Sequence, residues 1–162
     1  MAATYEPIAT NTLGSTASSV SFTSISGSYT DLILVSNPKM TTAGTYFIVT
    51  YNSDTGSNYS QTRLRGDGST ATSARDTSVT GIDIQYQDNN TDTGTSILQL
   101  FNYANTTTNK TALVRDNFAS YGVFARVALW RSTSAITSIT LTMSSSTFAA
   151  GSMFTLYGIK AA

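Results

Sequence analysis

Apolar and polar residues alternate along most of this chain. In the segment GVFARVALW, residues 122–130, Val123, Ala125, Val127 and Leu129 fall on one face of an extended backbone, and Phe124, Arg126, Ala128 and Trp130 fall on the other. Ile139, Leu141 and Met143 likewise share a face opposite Thr140 and Thr142. Near the end of the chain, Phe154, Leu156 and Gly158 lie on one side and Met153, Thr155, Tyr157 and Ile159 on the other, so large apolar groups occupy both faces. That pattern predicts a last strand with neighbours on both sides, locked into the body of a domain.

Such segments recur along the sequence, separated by clusters of Gly, Asn, Asp and Ser that supply turn chemistry. They predict strands over residues 20–25, 31–36, 45–51, 59–65, 80–87, 96–103, 111–115, 122–130, 136–143 and 153–159. The expected fold is all-β: a single-domain antiparallel β-sandwich over residues 1–162, jelly-roll-like, with about eight to ten strands. Residues 1–19 are expected to form an extended arm leading into the first strand.

Composition sharpens this picture at three points. Charged residues make up 11% of the chain, against about 25% in typical soluble domains, and Ser and Thr fill the difference. With one Glu and three Lys, the residues that usually build helix surfaces are scarce. Nine basic and nine acidic residues cancel, with no basic block, which argues against a nucleic-acid partner and leaves little charge to keep identical copies apart. No run approaches the ~20 apolar residues of a membrane span, so no membrane partner is expected. The N-terminal stretch also lacks the basic start and apolar run of a secretory signal.

The candidate chemistry is sparse. Without His there is no common general base and no histidine-dependent triad, and without Cys there is no thiol nucleophile. Eight Asp and Glu6 leave a glycosidase-type carboxylate pair as the one arithmetic option, but most lie beside Gly, Ser or Thr, where turn formation accounts for them. The reading is therefore of no enzyme, no catalytic residues, no metal ligands and no cofactor. Asp88, Asn90 and Asp92 alternate as the first ligands of a calcium loop do, yet Thr93 replaces the turn glycine and Gln99 the bidentate glutamate. Arg65-Gly66-Asp67 spells an adhesion tripeptide that also makes a good turn. Tyr59, Gln61, Arg63 and Arg65 fall on one face of a predicted strand and form a candidate protein–protein interface, the alternative being a solvated strand face. Trp130, at a strand end, is expected in the core or at its rim.

Four segments, SFTSISGSYTDLILVSN, YNSDTGSNYS, LWRSTSAITSITL and FAAGSMFTLYGIKAA, together resemble a group of small virion proteins of tailed bacteriophages, common in marine and cyanobacterial phages. The likeness runs from about Ser21 to Ala162 and is strongest at Tyr29 to Leu32, Asp54 to Ser60 and Leu156 to Lys160; where the group's turn usually has Gly after Asn, this chain has Ser53. The resemblance implies a β-rich structural component of the virion, with no catalytic residues to carry over. It points to a capsid decoration or cement protein, a homotrimer binding the major capsid protein and sister copies. A tail or tail-fibre module touching a host glycan is the alternative. The chain's modest size, without coiled-coil heptads or a repetitive stalk, favours the shell.

Overall fold

A computed structural model describes residues 4–87 and 92–160. Twelve strands follow one another: β1 (Tyr5–Thr12), β2 (Ser19–Phe22), β3 (Asp31–Asn37), β4 (Thr45–Tyr51), β5 (Tyr59–Gly66), β6 (Ala71–Val79), β7 (Ile82–Gln87), β8 (Thr95–Phe101), β9 (Lys110–Phe118), β10 (Gly122–Trp130), β11 (Ile139–Met143) and β12 (Met153–Ile159). The described residues contain no helix. They form two antiparallel sheets packed as a sandwich, an eight-stranded sheet in the order β1-β12-β3-β8-β9-β10-β5-β6 and a four-stranded sheet in the order β2-β11-β4-β7.

This all-β sandwich agrees with the sequence reading, with two additions. Tyr5–Thr12, inside the stretch expected as an arm, is a paired edge strand, broken by a bulge between Pro7 and Ala9. Ala71–Val79 is the other edge of the larger sheet. Each packs one hydrophobic residue against the core, Ile8 of β1 and Val79 of β6, and has no continuous apolar face. β6 reads ATSARDTSV and is largely exposed, so the alternation that reveals a half-buried strand is missing.

The chain passes from one sheet to the other at most connections; it stays in the larger sheet from β8 to β9 and within two hairpins of that sheet, β5–β6 and β9–β10. With these four strands set aside and the rest renumbered in chain order, the first, eighth, third and sixth are neighbours in one sheet, and the second, seventh, fourth and fifth in the other.

Alternation sends one residue in two into the gap between the sheets. Leu32 and Leu34 of β3, Leu98 and Leu100 of β8 and Phe154 and Leu156 of β12 meet Phe47 and Val49 of β4 and Ile139 and Leu141 of β11 in one buried cluster. Phe148, from the loop before β12, closes one end, with its ring 5.0 Å from Phe154 and 5.8 Å from Phe47. β12 lies between β1 and β3, as its two apolar faces require. Tyr5 stands opposite Ile159, the Lys160 amide donates to Thr4 at 3.2 Å, and Lys160 pairs with Glu6 at 3.0 Å, so the two ends of the described chain are tied side by side.

The segments that carry the phage resemblance are brought together as fasteners. Trp130 Nε1 donates to Asp54 at 2.6 Å, and the other Asp54 oxygen accepts the Gly56 amide at 2.9 Å. These bonds hold the Asp54 carboxyl below its ordinary range, the Trp130 bond being the largest cause. Asn52 accepts the Thr137 and Ser138 amides and donates to Ala135, stitching the β4–β5 turn to the segment before β11. Tyr29 lies over Gly158, where a Cβ would collide with its ring, and Thr30 donates to Ile159 at 2.7 Å.

Ser53 adopts φ 58°, the left-handed region that costs a side-chain-bearing residue roughly 1 kcal/mol. Ser53→Gly is expected to raise the unfolding free energy by up to about 1 kcal/mol in a urea titration, with an unchanged slope.

Candidate functional site

The larger sheet is wider than the smaller one, and the polar chemistry gathers where the cover ends. β7, an edge strand of the smaller sheet, lies over β9 and reaches β5. Beyond it the inner faces of β10, β5 and β6 continue without an opposing sheet. The sequence changes character at that boundary. Along β10 the inward residues run from Trp130 and Ala128 in the core to Arg126 and Phe124, and along β5 from Tyr59 and Gln61 to Arg63 and Arg65.

A cleft of about 340 Å³ opens there, lined by Tyr46, Arg63, Arg65, Asp83, Tyr86 and Tyr121 among others. Each guanidinium is held. Arg126 pairs with Asp116 on the neighbouring strand, both side chains nearly inaccessible, and its guanidinium lies 4.6 Å from the centre of the Phe124 ring. Arg63 pairs with Asp76 of β6. Arg65 reaches Asp67 at 3.3 Å and stacks 4.1 Å over Tyr121, whose ring is 4.6 Å from that of Tyr86. Gln61 Nε2 bridges the carboxylates of Asp76 and Asp83, at 3.1 Å each.

Asp83 is the acid of this cleft without an ion-pair partner among the described residues. Burial, the largest cause, raises its pKa, and Asp76 adds to the rise against the opposing effects of Gln61, Arg126 and Arg63. Its charge in turn raises the pKa of Tyr46.

This geometry corrects one sequence expectation and locates three others. Tyr59, Gln61, Arg63 and Arg65 do share a face, but it points inward. Tyr59 and Gln61 are buried, 0% and 2% exposed, and cannot meet another molecule, whereas Arg63 and Arg65 stay about one-third exposed in the cleft. The period-two pattern gave the shared face without its direction, because an overhanging sheet puts arginines on the side that is elsewhere core. Trp130 is in the core, 3% exposed, stacked on Tyr59 at 6.2 Å. Asp67 of the Arg-Gly-Asp tripeptide accepts the Ser69 and Thr70 amides, at 3.0 and 2.7 Å, as a turn former. In the calcium-like pattern, Asp88 and Asn90 lie outside the described residues, and among those described no three His, Cys, Asp or Glu side chains come together to hold a metal.

The outer face of the same sheet is the second feature, and the sequence reading did not single it out. Tyr5, Leu64, Leu113, Val123, Val127 and Met153, the large hydrophobic residues exposed among those described, all project from it. Leu64 and Val123 are 61% and 60% exposed. Ile33 and Ile97, half-buried, continue the surface across the sheet. Its charges are few: Arg75, Arg115 and Asp31. The signal was present in GVFARVALW, which is apolar on both faces although only one can face the core.

Compared with models of protein families, with curated proteins and with solved structures, the chain matches none.

Asp83→Asn is expected to raise the melting temperature at neutral pH, since the fold disfavours the charged carboxylate while the amide keeps an acceptor for Gln61. A raised carboxyl pKa penalises the native state as pH climbs from the unfolded value of about 3.9 through the folded one. The advantage of the variant should therefore vanish below about pH 4, as thermal melts across that range will show. Asp116→Ala, which strands the buried Arg126 charge, is expected to cost about 3–5 kcal/mol in urea unfolding.

Proposed function

We propose that this chain is a non-enzymatic structural component of a bacteriophage particle, a decoration protein that binds the outer shell and associates with sister copies through the outer face of its larger sheet. The observation that carries the reading is the gathering of the exposed large hydrophobics on that one face. Eight strands spaced ~4.8 Å apart and about seven residues long offer roughly 900 Å², against the ~800 Å² per partner of a stable interface. A face with two arginines and one aspartate, on a chain of zero net charge, opposes a second copy little.

The sheet edges favour face-on rather than edge-on association. β1 carries Pro7 and a bulge, and β6 carries Arg75 and Asp76, features that discourage strand addition. The phage context rests on the four resembling segments, whose matching residues act as fasteners of the fold. The strand order also supports the jelly-roll reading: two four-stranded sheets exchange strands in the order of that fold, widened by two hairpins. The fold is shared by viral capsid domains and lectins, so it supports the context by analogy. A tail or tail-fibre module is the second reading, favoured by the cleft of arginine and tyrosine side chains.

Light scattering of the purified chain is expected to give the mass of a trimer, and Leu64→Arg combined with Val127→Arg is expected to give monomers whose stability is within about 0.5 kcal/mol of the parent. A parent chain that stays monomeric at micromolar concentration would refute the copy–copy contact. For the location, quantitative gels of particles should find the many copies of a shell protein, and a tail component's few would overturn it.

A further inference from the structure

We propose that the cleft between β7 and the overhanging strands β10 and β5 is a binding site for a neutral saccharide. It lies on the inner side of the sheet whose outer side carries the docking face, so it holds wherever the chain sits in a particle.

Charge decides the ligand class. Arg63, Arg65 and Arg126 already face Asp76, Asp67 and Asp116, and Asp83 adds a carboxylate without an ion-pair partner of its own among the described residues. An anion would meet Asp83 and gain no uncommitted guanidinium. A cation would meet three arginines. A ring of hydroxyl groups suits the mixture, because neighbouring hydroxyls can donate to the Asp83 carboxylate and accept from the Nη atoms of Arg63 or Arg65 at once. Tyr86 and Tyr121, half-buried and packed on each other with ring centroids 4.6 Å apart, line the same cleft and add aromatic contact area for the C–H groups of a sugar. The volume of about 340 Å³ is in the range of small-molecule pockets and accommodates one or two sugar rings.

A second observation converges on the same place. Among the described residues, the buried side-chain polar atoms without a hydrogen-bond partner are Tyr51 Oη, Gln61 Oε1, Arg65 Nε and Arg126 Nε, and the last three belong to this cluster. A fold tolerates such mismatches chiefly where a site other than the core has set the residue choice.

Saturation-transfer NMR on the full chain tests the proposal, with methyl glucoside, methyl galactoside and N-acetylglucosamine as probes, glucuronate as a charged control and inorganic phosphate as a competitor. Transfer is expected to at least one neutral sugar and to persist when an equal concentration of phosphate is added. Tyr121→Ala and Arg65→Met are each expected to weaken that binding about tenfold, and thermal melts of both will show whether the fold is intact. Arg65→Met keeps the apolar stem and serves as the decisive variant if Tyr121→Ala unfolds. The Leu64→Arg, Val127→Arg chain should bind the sugar as the parent does, which separates this site from the docking face. No transfer to any neutral sugar, transfer that Arg65→Met leaves intact, or tighter binding of phosphate than of sugar would each overturn the assignment.

Discussion

An eight-stranded sheet cannot be covered by a four-stranded one, and this mismatch in width shapes the rest of the molecule. Where the two sheets overlap, alternation buries every second side chain and the interior is apolar. Past β7 the larger sheet keeps its pleat and loses its cover, so the same inward positions must be filled by groups that tolerate water on one side. Arginines with carboxylate partners, backed by aromatic rings, meet that condition: their stems and planes pack while their charges are matched. The cleft is thus a product of the architecture before it is a site.

Much of the fold was legible because period-two alternation is a direct imprint of a half-buried pleat. Ten of the strands declared themselves this way, and β12 announced neighbours on both sides. β1 and β6 stayed hidden for the same reason in reverse: each is an edge strand held by backbone pairing to a single neighbour, and neither buries a continuous apolar face. The site was less legible. That Arg63 and Arg65 share a face follows from the sequence, but which way the face points depends on sheet widths, which emerge only from long-range pairing. The outer hydrophobic face was written in Leu64, Val123 and Val127, and could not be told from a second core face until the other side of β10 and β5 was seen to be the inner one.

Three buried charged side chains show how this low-charge chain uses the few it has. Arg126 and Asp116 neutralise each other across β9 and β10, at the border between core and cleft. Lys110, 1% exposed, makes no ion pair among the described residues and donates instead to the carbonyls of Thr108 and Thr133, at 2.8 and 3.0 Å, while burial pulls its pKa down. It ties the loop before β9 to the segment after Trp130, and so stands behind the same region that Asn52 and Asp54 fasten from the front. A side chain that would ordinarily be left in solvent serves here as an internal strut.

The pairing of Tyr5 with Ile159 bears on how the molecule meets mechanical load. Because β1 and β12 run antiparallel and their outer ends coincide, a pull on both termini is directed across the strands, and the hydrogen bonds between them are strained one after another rather than all together. Such a seam peels at low force, with the Lys160 and Glu6 pair the first to give. Tension applied through the two ends would unzip this block. Pressure spread over the sheets would instead be carried by the close-packed interior.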